Sequence, residues 1–347
     1  MNRSNNFDAV RILAALAVLV SHQYALTGRP EPVIWGADTL GGLGVLVFFS
    51  ISGYLVAQSW SSDPNLWRFA ARRLLRIWPG YAVALLLALF VLGPAVSTLD
   101  WAAYVAHPHF ERYLQNFWFD LFDQLPLQFT GNAHPYAING SLWTIPLELG
   151  CYAMLAALGL LGLLRAPQWL AAATGLAMAA FILSGGTNGL LAKHFGVAST
   201  PVYLAWFGLY FFAGASLQRL GWLREPLQRR RVALWALGLG VASLLVTRNA
   251  HLALWLALPA GVLAVGLSSW PLLRRAGRFG DLSYGLYIYA FPVQQTTLWL
   301  TGGRLGPLAS LLLAAGVTVV LAFLSWHLVE KWALRLKPRT PAAAPPA

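Results

Sequence analysis

Charge is what this sequence lacks. Only 10% of its 347 residues are Asp, Glu, Lys or Arg, while 58% are hydrophobic and the mean hydropathy is +0.60. About a quarter of an average soluble domain is charged. So few charges cannot cover a water-facing surface. That excludes an ordinary soluble fold and leaves the bilayer as the solvent that suits the chain. Cysteine is nearly absent too: Cys151 stands alone in an apolar stretch, so no internal disulfide framework is possible. Acids number 12 against 24 basic residues, a net charge of +12. A basic surplus can mark a nucleic-acid partner. Here the basic residues fall in short clusters between apolar runs, so they read as membrane anchors and no nucleic acid is expected.

What is present is a series of apolar runs. A helix of about 20 residues spans the hydrocarbon core. By that rule the sequence predicts an all-α, polytopic membrane protein with ten transmembrane helices, near 9–27, 40–59, 79–98, 141–164, 169–186, 201–218, 232–247, 251–269, 283–300 and 307–329. The first run carries Arg11 and His22 and no small-residue cleavage site, so it reads as a retained helix. With the N-terminus in the cytoplasm, 18 basic residues fall on the cytoplasmic side and five on the other (Arg29, Arg112, Lys193, Arg248 and Arg304). That asymmetry predicts both termini inside. Residues 99–140 are too long for a simple connection and are rich in Trp, His and acids; they read as interfacial helices or a cover on the outer surface. One membrane domain is expected over 1–337, followed by a disordered Pro/Ala-rich tail over 338–347.

An ionisable group inside a spanning helix is costly, so each is a functional candidate. Arg11 and His22 are eleven positions apart, three turns plus about 20°, so they share one helix face. Helix rise separates them by about 16 Å, with Arg11 at the inner rim and His22 past the middle. Asp8, three residues before Arg11, is a candidate partner for it. Arg73 and Arg76 also share a face and lie just before Pro79, which suits a helix start or a kink. Guanidinium groups there would suit phosphates, although spacing alone fits anchoring. The run Gly44 to Tyr54 has small residues for close helix approach and contains Ser52. Glu148 lies one or two turns inside the outer face, with His22 as a possible partner at similar depth. Glu330, beside Lys331, reads as a member of a structural ion pair. His107 and His109 are too few for a metal site, and Pro108 breaks their spacing, so no metal is expected.

Six segments, in order, resemble the motifs of the membrane acyltransferase 3 family, whose members O-acylate bacterial surface and extracellular glycans. They are Phe7 to His22, Phe48 to Tyr54, Arg73 to Pro79, Ser141 to Glu148, Leu282 to Val293 and His327 to Lys331. The chain departs from many relatives at Leu46 and Val47, where an Asp is common, and at Ala290, where a His is common, which removes any catalytic role from those positions. The resemblance implies a multi-pass protein of the bacterial inner membrane. It implies acetyl-CoA, or another acyl-CoA, as donor and a glycan or lipid-linked oligosaccharide as acceptor. Arg11, Arg73, Arg76 and Ser52 would then receive the donor. His22 would be the general base or the acyl-carrying nucleophile, with Glu148 orienting it. The rival reading is a transporter or flippase of lipid-linked sugars, although the paired repeats of such proteins are not visible here.

Overall fold

The computed structural model describes residues 5–135, 137–186 and 201–338. Lys193 and the expected tail after Pro338 lie outside the described residues. The described residues are mostly helical. The only sheet among the described residues is a two-stranded antiparallel hairpin, β1 (Val33–Ile34) with β2 (Asp38–Thr39).

The long helices are α1 (Phe7–Leu26), α2 (Leu40–Ser62), α3 (Leu66–Leu87), α6 (Thr144–Leu160), α7 (Pro167–Leu183), α8 (Pro201–Leu220), α9 (Pro226–Thr247), α10 (Ala250–Gly266), α11 (Ser283–Thr301) and α12 (Pro307–Ser325). A helix occupies every segment expected to span. Five of these helical segments are long and apolar enough to cross a membrane by length and composition. The chain is a mostly helical membrane protein.

The bundle is arranged as lipid demands. The peripheral helix α9 has a single buried residue, Gly240. The polar α11 is buried on most sides and carries Ser283, Gln294, Gln295 and Thr297 inward. Polar side chains are cheap only where other protein satisfies them. Glycines let the central helices close up. A Cβ on Gly53 of α2 would meet the Phe211 carbonyl of α8, and one on Gly214 of α8 would meet the Ser50 carbonyl. The small residues of the Gly44 to Tyr54 run are therefore packing positions, as their spacing suggests.

Two helices depart from the sequence reading. The third was expected to begin at residue 79. It begins at Leu66 and continues through a π-helical turn (Ala88–Leu92) to Val96. Asn65 caps it by accepting from the Arg68 amide at 3.0 Å. Pro79 therefore lies inside the helix rather than at its start. The basic stretch before residue 79 lies outside the apolar run yet is helical, and Arg68, Arg72 and Arg76 in it have acidic partners. Helix α12 also runs on, through a π-helical turn (Trp326–Glu330) to Arg335. The boundary between α9 and α10 at Arg248 and Asn249 is a tight turn: Arg248 is left-handed at φ 53°, and Asn249 caps α10 by accepting from the Leu252 amide.

The described residues of 99–140 include two short helices, α4 (Trp101–Ala106) and α5 (Pro108–Leu114), and a 3-10 turn (Gln115–Trp118). Tyr104, Tyr113 and Asn116 anchor this segment in the interior, while Trp101 and Trp118 stay exposed.

Candidate active site

A cavity of about 330 Å³ enters the bundle between α1, α2, α3, α6, α11 and the C-terminal extension of α12. Arg11, Arg73, Arg76 and Lys337 line it, so its mouth lies at the basic end of the molecule. Ser52 and Glu148 line its middle, and Phe48, Thr144 and Tyr287 also line it. Its size is at the lower end of small-molecule pockets.

The arginines of α3 differ in what they bind. Asp63, at the start of the helix, takes a bidentate contact from Arg68 (2.8 and 2.6 Å) and another from Arg72 (2.7 Å). Those bonds hold the Asp63 carboxyl well below the usual carboxylate range. Arg76 pairs with Asp281 at 2.7 Å and Glu330 at 3.5 Å. Arg73 has no carboxylate within ion-pair distance among the described residues. Its guanidinium lies over the rings of Phe69 and Tyr152, at 5.9 and 6.0 Å. Of the three arginines expected to meet the donor, Arg11 and Arg76 are tied to carboxylates and only Arg73 has its charge unspent.

Arg11 reaches Asp281, Nη1 to Oδ2, at 3.6 Å. The expected partner Asp8 is not the one that holds it. Asp281 was missed in the sequence because it lies in a short polar connection just before α11. Gly280, with φ at +110°, makes that turn, and a Cβ there would strike the Trp326 indole. Asp281 also accepts from the Ser283 hydroxyl at 2.7 Å. Glu330 does form an ion pair, with Arg76 rather than with its neighbour Lys331. The π-helical turn before it inserts one residue and brings Glu330 to the interior, only 2% exposed, where Ser325 donates to it at 2.9 Å.

Glu148 lies in the cavity wall. Its Oε1 accepts from the Ser52 hydroxyl at 2.6 Å and the Tyr152 hydroxyl at 2.5 Å. The structure thus joins Ser52 and Glu148, which the sequence left separate. The expected pairing of Glu148 with His22 is corrected: the two sit at different depths. Thr144 is one turn before Glu148 and shares a 2.7 Å hydrogen bond with the Tyr287 hydroxyl. His22 instead packs edge-on against Phe291, ring centroids 5.2 Å apart, one turn beyond Tyr287 on α11. Helix rise puts His22 about two turns, roughly 11 Å, further from the basic end than Glu148.

His22 is buried and is not among the residues lining the cavity. Its turn of α1 is clamped by α11: Gln294 donates to the Leu19 carbonyl at 2.9 Å and to Gln23 at 2.8 Å. Lys337, read in the sequence only as a membrane anchor, lines the cavity mouth. Burial, and then the charges of Arg73, Arg76 and Arg72, push its ammonium down to about 8. No cluster of three or more metal-ligating side chains occurs among the described residues.

The model of an acyltransferase domain family, acyltransferase 3, matches residues 4–327. An O-acetyl transferase of Shigella phage Sf6 is 34% identical over 354 residues, covering 95% of this chain and 96% of its own. Nodulation protein 10 of Rhizobium leguminosarum bv. viciae is 30% identical over 361 residues, covering 96% of this chain and 94% of its own. No solved structure matches. A cationic cavity inside a helical bundle, with Arg11 and His22 on one helix and matches along nearly the whole chain, has one reading: the chain belongs to the acyltransferase 3 family and is an O-acyltransferase of the membrane.

Proposed function

We propose that the protein moves an acyl group, acetyl in the simplest case, from a cytoplasmic acyl-CoA to a hydroxyl of a cell-surface or extracellular glycan. In this reading ten helices cross the bacterial inner membrane and the basic end faces the cytoplasm, in keeping with the 18 to 5 split of basic residues. The observation that carries the proposal is the cavity: cationic at its mouth, with Arg73 unspent, and lined further in by Ser52, Glu148, Thr144 and Tyr287.

The donor's phosphates would meet Arg73 and Lys337 at the mouth. Arg76 and Arg11, tied to Asp281, add positive potential and shape rather than free binding groups. The pantetheine arm would run past Ser52, and the thioester would stop at the Phe48, Thr144 and Tyr287 end. The acceptor would approach from the opposite end of the bundle. His22, as general base, takes the proton of a sugar hydroxyl as its oxygen attacks the thioester carbon. The C–S bond breaks, the thiolate takes up the proton from the imidazolium, and the ester leaves with the glycan. In the covalent alternative His22 first carries the acyl group and the hydroxyl then takes it.

The test is incubation of membranes with [¹⁴C]acetyl-CoA and polysaccharide. Label in the polysaccharide, dependent on the protein, is the expected result. Translocation of lipid-linked sugar without label transfer would replace this reading with the flippase.

A further inference from the structure

The end of the bundle opposite the basic mouth has a cavity of its own. It measures about 40 Å³ and lies between the surface segment and the residues that lead into α6. That is room for one water or one hydroxyl group. Asp123, Tyr113, Phe122 and Trp143 line it.

Most polar groups around this slot are already used. Asn116 accepts from the Phe122 amide at 2.7 Å and donates to the Tyr113 and Phe122 carbonyls at 2.8 Å. Asn139 donates to the Ile288 carbonyl at 2.8 Å. Two groups are left over. The Tyr113 hydroxyl is buried without a hydrogen-bond partner, on a side chain only 1% exposed. The Asp123 carboxylate, partly buried, has no cation within ion-pair distance among the described residues, and the hydrogen bond from its own backbone amide leaves acceptor capacity free. A buried polar group without a partner is expensive and asks for an explanation.

The slot also lies close to the chemistry. Ala137 packs with Leu26 and Phe291, and Phe291 is the ring against His22. Asn139 is tied to Ile288, and Thr144 to Tyr287 at the end of the donor cavity. Residues 137–144 therefore form a wall, with the slot on one side and the His22 turn and cavity end on the other.

We propose that Asp123 and Tyr113 form an acceptor subsite that holds one hydroxyl of the glycan, while a different hydroxyl of the same glycan receives the acyl group. The sugar hydroxyl donates to the Asp123 carboxylate and accepts from the Tyr113 hydroxyl. Trp143 and Phe122 give the sugar's C–H face an aromatic surface. The inference rests on the glycan-acylation reading above.

The test uses the full-length protein in membranes, [¹⁴C]acetyl-CoA, and surface polysaccharide from the producing strain after mild-base removal of its esters. Asp123→Asn raises the acceptor KM about tenfold and Tyr113→Phe about threefold, with the acetyl-CoA KM unchanged in both. Tyr113→Phe removes no internal hydrogen bond, so it carries the test if Asp123→Asn fails to fold. An active wild type with unchanged acceptor KM in both variants overturns the subsite alone: the slot then holds only water. A wild type that transfers no label overturns the glycan reading and the subsite with it.

Discussion

Arg76 and Asp281 lie 205 positions apart and meet through a 2.7 Å ion pair at the mouth of the cavity. The pair fixes α3 against the start of α11, and Glu330 adds the extension of α12 to the same guanidinium. One arginine thus joins three elements of the cavity wall. Removing one partner of a buried pair leaves the other charge uncompensated. Arg76→Ala should therefore destabilise the detergent-solubilised protein by about 3 kcal/mol, read as a lower thermal unfolding midpoint. An unchanged midpoint would mean that the pair is incidental.

Arg73 predicts the opposite pattern. No carboxylate depends on it, so Arg73→Ala should leave the unfolding midpoint nearly unchanged. It should raise the acetyl-CoA KM about tenfold, the expected loss of a charge-assisted contact to phosphate. Equal donor KM values for wild type and variant would return Arg73 to an anchoring role.

Lys337 gives the donor step a pH dependence. Its ammonium is held at about 8, below the usual 10.5, by burial first and by three arginines second. A cation whose folded pKa is depressed is penalised while charged. Its contribution to stability therefore improves as pH rises from about 8 toward 10.5. Donor binding runs the other way, because the charge that meets phosphate is lost. The acetyl-CoA KM should climb as pH rises through about 8 in the wild type and stay flatter over the same range in Lys337→Ala. Parallel profiles would remove Lys337 from the donor site.

Gly53 tests the packing of the α2 motif. A methyl group there meets the backbone carbonyl of Phe211, which cannot swing aside like a side-chain tip. Gly53→Ala should destabilise by about 1–3 kcal/mol and lower the yield of folded protein. A fully stable variant would show that α2 and α8 have room to part.

The sequence made the helical segments legible because lipid imposes one simple rule, a long apolar run for each. It also put Arg11 and His22 on one face, since periodicity is local. The start of α3 at Leu66 was hidden because four arginines lie outside the apolar run that marked the span. Only the fold reveals that Asp63, Asp281 and Glu330 neutralise three of them. Asp281 and Lys337 were passed over because each stands outside the apolar runs and reaches the cavity only through tertiary packing. Glu148 was legible as a carboxylate within an apolar helix, but not its partners. Depth in a bundle depends on how α6 and α11 slide past each other, and the contacts through Thr144 and Tyr287 fix that register.

His22 carries the proposed chemistry. The direct measurement is transfer of [¹⁴C]acetyl from acetyl-CoA to polysaccharide by membranes holding equal amounts of wild type and His22→Ala. Loss of transfer to background, with the variant still inserted and still binding donor, is the predicted result. Acetylation at the wild-type rate by His22→Ala would contradict it.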